Sequence, residues 1–151
     1  MKIEITNQQV LKKVNLKRAC RIIRTIGRLL NLSSKKITFV FCDNRFIQKL
    51  NKKYFKKDMP TDVIAFNLAD EDDRDYLGEV IISVEQAVRV ARSLGLRWQD
   101  ELLLYLIHGI LHLIGYDDRT RAGRRRMERK QKAMLKHLGC RGSGVGGRGG
   151  K

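Results

Sequence analysis

The chain has 151 residues, 42% of them apolar, with 32 Lys and Arg against 16 Asp and Glu, a formal charge of +16. That length and apolar content are enough for one domain with a real core, and they exclude a chain too polar to fold. So positive a surface favours polyanions, meaning RNA, DNA or, less often, an acidic membrane face.

The first expected element is a strand over Lys2–Thr6, where apolar and polar residues alternate. Asn15 then caps a helix over 16–30, with Leu16, Ala19, Cys20, Ile23, Ile26 and Leu30 at helical spacing and Ser33-Ser34 as its break. Lys36–Cys42 is β-branched and aromatic, a second strand. Asp43 caps a short helix bearing Phe46, Ile47, Leu50 and Tyr54, and Phe55–Asp62 is read as a polar loop. Val63–Phe66 is a third strand, Ala69–Asp75 an acidic turn, and Leu77–Ile82 a fourth strand. Ser83 and Gln86 form a capping box for a helix that ends at Gly95.

A long, almost wholly apolar helix begins at Trp98 and carries His108 and His112. Thr120 opens a last, strongly basic helix over 121–138, with Met127, Met134, Leu135 and Leu138 on its apolar face. Residues 140–151, half glycine, are expected to be a disordered basic tail, which leaves 1–139 as one domain. Strands first and helices later indicate an α+β fold.

Cys20, Cys42 and Cys140 are widely spaced and odd in number, with no Cys-x-x-Cys pair. That argues against a disulfide framework or a thiolate zinc site and fits a reducing cytoplasm. No secretory leader pattern opens the chain, and the longest apolar run, Leu102–Ile114, is too short for a membrane span.

The chemistry concentrates at Trp98–Asp118. His108 and His112 stack one turn apart on one helix face, where two imidazole nitrogens reach a common ion. Gly115 can end the helix in the left-handed conformation, and Asp118 can return its carboxylate to the same spot. Three protein ligands leave one position for water, as in a catalytic zinc site. The bland alternative is a pair of core histidines satisfied by backbone carbonyls, but two facing neutral imidazoles in apolar surroundings gain little without an ion. Gly109 stands where a zincin protease helix needs its glutamate, so a general base must come from the metal-bound water or elsewhere. Glu79, beside the fourth strand's edge, is a weak candidate.

The run His108-Gly109-Ile110-Leu111-His112-Leu113-Ile114-Gly115-Tyr116-Asp117-Asp118 resembles the YbeY family, bacterial rRNA maturation factors and zinc-dependent endoribonucleases, whose motif reads His-Gly-x-Leu-His-Leu-x-Gly-Tyr-Asp-His. Leu50-Asn51-x-x-Tyr54, Lys57-Asp58-x-Pro60-Thr61-Asp62-Val63-Ile64-x-Phe66 and Leu77-Gly78-Glu79-Val80-x-Ile82-Ser83 agree with it, as does Met127. The resemblance implies an α+β fold: a small mixed sheet of about four strands packed with helices around the central metal-bearing helix. It implies one Zn2+ at His108, His112 and Asp118, single-strand-specific endoribonuclease activity, and a role in 16S rRNA 3′-end processing and ribosome quality control. The implied partners are rRNA and the ribosomal small subunit or ribosome-associated proteins, in the cytoplasm, with no membrane and no DNA.

Two positions depart from the family pattern. Asp118 replaces the usual third histidine, which makes the site less cationic, its water less acidic, and other divalent metals eligible. Phe55 stands where the family usually has an arginine expected to meet RNA phosphate. Lys56 or Lys57 can supply charge there but not the planar fork. Arg124, Arg125 and Arg126 are further candidates for RNA contact. Two rivals remain: a non-catalytic RNA- or ribosome-binding assembly factor with a structural metal, and a metal-dependent hydrolase of peptides or small molecules.

Overall fold

A computed structural model describes residues 1–139; the expected glycine-rich tail, 140–151, lies outside them. In chain order the elements are β1 (Lys2–Asn7), α1 (Leu16–Leu29), β2 (Lys36–Cys42), α2 (Asn44–Phe55), β3 (Val63–Asn67), β4 (Tyr76–Ser83), α3 (Val84–Leu94), α4 (Trp98–Leu113) and α5 (Arg121–His137). The fold is α+β with a mixed sheet in the order β1-β2-β4-β3. The pairs β1–β2 and β2–β4 are parallel, and β3 runs antiparallel to β4 as an edge strand.

The period-2 alternation of each strand divides the core between two sheet faces. Phe39, Phe41, Val80 and Ile82 point to one face and join the main core with α1, α3, α4 and α5. Val40, Cys42, Ile64 and Ile81 point to the other, where Ile47 of α2 completes a smaller core. Cys42 is fully buried there, and burial, aided by the charge of Asp43, pushes its thiol up to about 12. Such a thiol is inert at neutral pH.

Side-chain caps start four of the helices. Asn15, Asp43, Ser83 and Thr120 each accept the backbone N–H three residues on, at 2.9–3.1 Å. The expected box at Ser83 is only half made. Ser83 N–H donates to the Asp62 carbonyl at 2.9 Å, and the Gln86 side-chain oxygen accepts from Asn44 Nδ2 at 3.2 Å. The first helix stops before Ser33-Ser34, because Asn31 already adopts a left-handed φ of 59°. The second reaches further than expected: Phe55 closes its last turn, and Lys56 is its left-handed C-cap. Phe46 and Tyr54 are 37% and 54% exposed, since Ile47 and Asn51 hold that helix's buried side.

The helix α4 has almost no polar face because almost nothing around it is water. From Glu101 to Leu113 only His108 and His112 are not buried. It lies directly on the sheet at Gly109, where a Cβ would collide with Val80 and come within 3.1 Å of Val63 Cγ2. Glycine is required there by contact, and this contact sets the height of the two histidines above the sheet.

Candidate metal centre

At its C-terminus α4 closes in a Schellman arrangement. Tyr116 N–H donates to the Leu111 carbonyl at 3.0 Å, and Gly115 N–H to the His112 carbonyl at 3.1 Å. Gly115 takes φ +102° to allow this. Asn67 Nδ2, at the end of β3, donates to the Leu113 carbonyl at 3.3 Å and so secures another of the terminal carbonyls. The chain is turned back on itself within a few residues.

The turn separates two adjacent carboxylates by task. Asp117 accepts from Arg119 Nε at 2.8 Å and from Arg119 N–H at 2.9 Å, with Arg119 Nη2 2.7 Å away. The hydrogen bonds from the Arg119 guanidinium, then from its N–H, hold Asp117 below the usual carboxylate range. Asp118 faces the other way. Its Oδ2 lies 3.6 Å from His108 Nε2 and 3.8 Å from His112 Nε2. The two Nε2 atoms are 2.9 Å apart.

These three donors form the group able to hold a metal ion among the described residues. Ligands bonded at 2.0–2.1 Å in a tetrahedron stand ~3.4 Å from one another. The three observed separations bracket that value, and two imidazoles with a carboxylate are an ordinary donor set for zinc or another divalent ion.

Gln131 of α5 completes the arrangement. It is 6% exposed, and its Nε2 lies 2.7 Å from His108 Nδ1. An amide donating there leaves the proton of His108 on Nε2, where it bridges to His112 Nε2. A neutral imidazole that binds an ion through Nε2 must carry its proton on Nδ1. The same amide, turned over, then offers its oxygen as acceptor. Either way Gln131 fixes the ring's orientation. The sequence reading missed it. Its signal was a polar residue at the buried spacing of the last helix, four after Met127 and three before Met134.

The three donors open onto a cavity of about 600 Å³. Of the predicted contacts, Lys57 and Arg124 line it. Arg124 Nε is buried there with no hydrogen-bond partner. Lys56 caps α2 without lining the cavity, and Arg125 is exposed on α5. Arg126 borders a separate hollow behind the turn, with Gly115 and Tyr116. Glu79 must be corrected. It alternates with Val80 on β4, so its side chain is on the opposite sheet face from α4. The carboxylates that do line the cavity besides Asp118 are Asp62 and Glu128. Asp62 Oδ1 accepts from Val63 N–H at 2.8 Å.

Known proteins resemble this chain over most of its length. The sequence pattern of the family described as Endoribonuclease YbeY matches residues 2–139. Endoribonuclease YbeY of Carboxydothermus hydrogenoformans is 36% identical over 138 residues, covering 90% of this chain and 96% of that protein. That of Geobacter sulfurreducens is 35% identical over 141 residues, covering 89% and 94%. The solution structure of TM1509 from Thermotoga maritima superposes with a TM-score of 0.61 at 23% identity, over 90% of this chain and 91% of that one. At that identity the likeness speaks for the fold.

Proposed function

The chain belongs to the YbeY endoribonuclease family, and on that premise we propose that it is a metal-dependent endoribonuclease cutting single-stranded RNA during rRNA maturation. The observation that carries the reading is the convergence of His108 Nε2, His112 Nε2 and Asp118 Oδ2 at the floor of an open cavity in a strongly basic chain. We take the ion to be Zn2+, with other divalent ions admitted by the harder carboxylate of Asp118. When bound, such an ion activates water or polarises a phosphate oxygen.

The chain's own residues supply the rest. Gln131 orients His108, and the Arg119–Asp117 pair leaves Asp118 alone to face the histidines. Arg124 and Lys57 on the cavity wall receive phosphate oxygens. Glu128, on the same wall, is better placed than Glu79 to take up a proton. Contact through phosphate and charge reads little sequence, as suits cleavage set by strandedness. The place of action is the cytoplasm, on the ribosomal small subunit. Among the described residues no helix is long and apolar enough to cross a membrane.

The test is metal content and single-stranded RNA cleavage in wild type, His112→Ala and Asp118→His. Wild type should retain metal and cut, His112→Ala should lose both, and Asp118→His should keep metal. Full-rate cleavage by metal-free His112→Ala would overturn the reading.

A further inference from the structure

Where the last turn of α2 meets the edge strand β3, three aromatic rings gather at the margin of the smaller core. Tyr54 and Phe66 pack edge to face with centroids 5.0 Å apart. Phe55 lies nearly parallel to Phe66, at 13° and 6.3 Å. Tyr54 is 54% and Phe55 49% exposed, although both could have pointed into a core. Single exposed apolar residues are ordinary, but a contiguous patch with a charged rim marks a contact surface.

The surroundings identify the contact. Lys52 and Lys53 precede the aromatic pair along the chain and Lys56 and Lys57 follow it, and Lys53 Nζ stands 5.2 Å from the Tyr54 ring centroid. Phe55 is itself part of the wall of the cavity that holds His108, His112 and Asp118, and Lys57 lines the same wall. Rings that offer a face, set among cations and continuous with a phosphate-handling cavity, match a polyanion that carries flat apolar groups. That polymer is a single-stranded nucleic acid, whose bases stack on aromatic side chains while its backbone tracks the lysines.

We infer that Phe55, backed by Phe66 and flanked by Tyr54, is a stacking platform for an unpaired nucleobase of the strand whose backbone enters the cavity. The inference rests on the RNA reading above and adds the origin of its strand selectivity. A base inside a duplex is already stacked on its neighbours and has no face to give. The cation expected at position 55 is therefore replaced by a different mode of holding RNA, through the base.

The test uses the full-length metal-bound protein and a cleavage-resistant 2′-O-methyl phosphorothioate oligonucleotide containing 2-aminopurine, both single-stranded and in a duplex. Wild type should quench the 2-aminopurine of the single strand on binding. Phe55→Ala should abolish the quench and weaken single-strand binding about 10-fold, with duplex binding and metal content unchanged. Phe55→Trp should retain quench and affinity, which also guards against a folding artefact. Phe55→Leu keeps apolar bulk without a ring and should behave like Phe55→Ala. Wild-type affinity and quench in Phe55→Leu or Phe55→Ala would overturn the platform and mark the patch as a generic apolar surface. Equal loss of single-strand and duplex binding in Phe55→Ala would overturn it too. Absence of RNA binding by wild type would instead sink the RNA reading itself.

Discussion

Two acidic turns of this protein have opposite fates. The turn before β4 holds Asp70, Glu71, Asp72, Asp73 and Asp75, the densest negative charge in the sequence. The turn after α4 holds only Asp117 and Asp118. Yet the first contributes no donor to a metal-capable group among the described residues, and the second contributes Asp118. In the first turn the carboxylates serve local structure. Asp70 accepts the N–H groups of Asp72 and Asp73 at 2.9 and 2.8 Å, and Asp73 pairs with Lys36 at 2.8 Å. In the second, Arg119 engages Asp117, and the Schellman closure aims Asp118 at two imidazoles. Placement relative to nitrogen donors, rather than charge density, makes a metal centre.

The contrast can be broken or sharpened in order of expected effect. His112→Ala should lower zinc affinity by more than about 100-fold, beyond the loss typical of an outer partner, in competition with a chelating dye. Gln131→Leu should cost about 10–100-fold in the same assay while leaving all three donors in place. An unchanged affinity would show that His108 needs no orienting partner. Gly109→Ala should destabilise the fold by roughly 1–3 kcal/mol in urea denaturation, because its methyl meets Val80 beneath the helix.

Changes in the first turn should be smaller. Asp73 is held below the ordinary carboxylate value by its hydrogen bond from Lys36. Its folded-state pKa is depressed, so its contribution to stability is present above about pH 4 and is lost as pH falls through the lower folded value. Asp73→Asn should therefore melt slightly below wild type at neutral pH, with the gap closing in acid. Glu71→Gln with Asp72→Asn should leave zinc affinity unchanged.

Local signals in the sequence carried most of the fold. Periodicity and cap residues, or for α4 a long unbroken apolar run, identified every strand and helix among the described residues, because each signal depends on neighbours a few positions away. His108, His112 and Asp118 could be grouped for the same reason: one helix and one turn hold them all. Gln131 and Arg124 reach the cavity from α5, and Phe55 from α2, through packing that no short window displays. Glu79 failed for a related reason. Its strand was recognised, but which face of the sheet its side chain takes depends on where α4 lands. Tyr54 and Phe66 likewise gain meaning only when β3 is known to be the edge.

The compactness of the donor set has a consequence for stability. All three donors lie within residues 108–118, so an unfolded chain keeps them close together at little cost in loop closure. Part of the affinity for an ion then survives unfolding. By linkage, only the difference in affinity between the folded and unfolded chain raises the melting temperature. Saturating this protein with zinc should protect it less than its folded-state affinity alone implies: the shortfall measures the affinity the unfolded chain keeps, and the protection that remains measures what Gln131 and the rest of the tertiary structure add to the site.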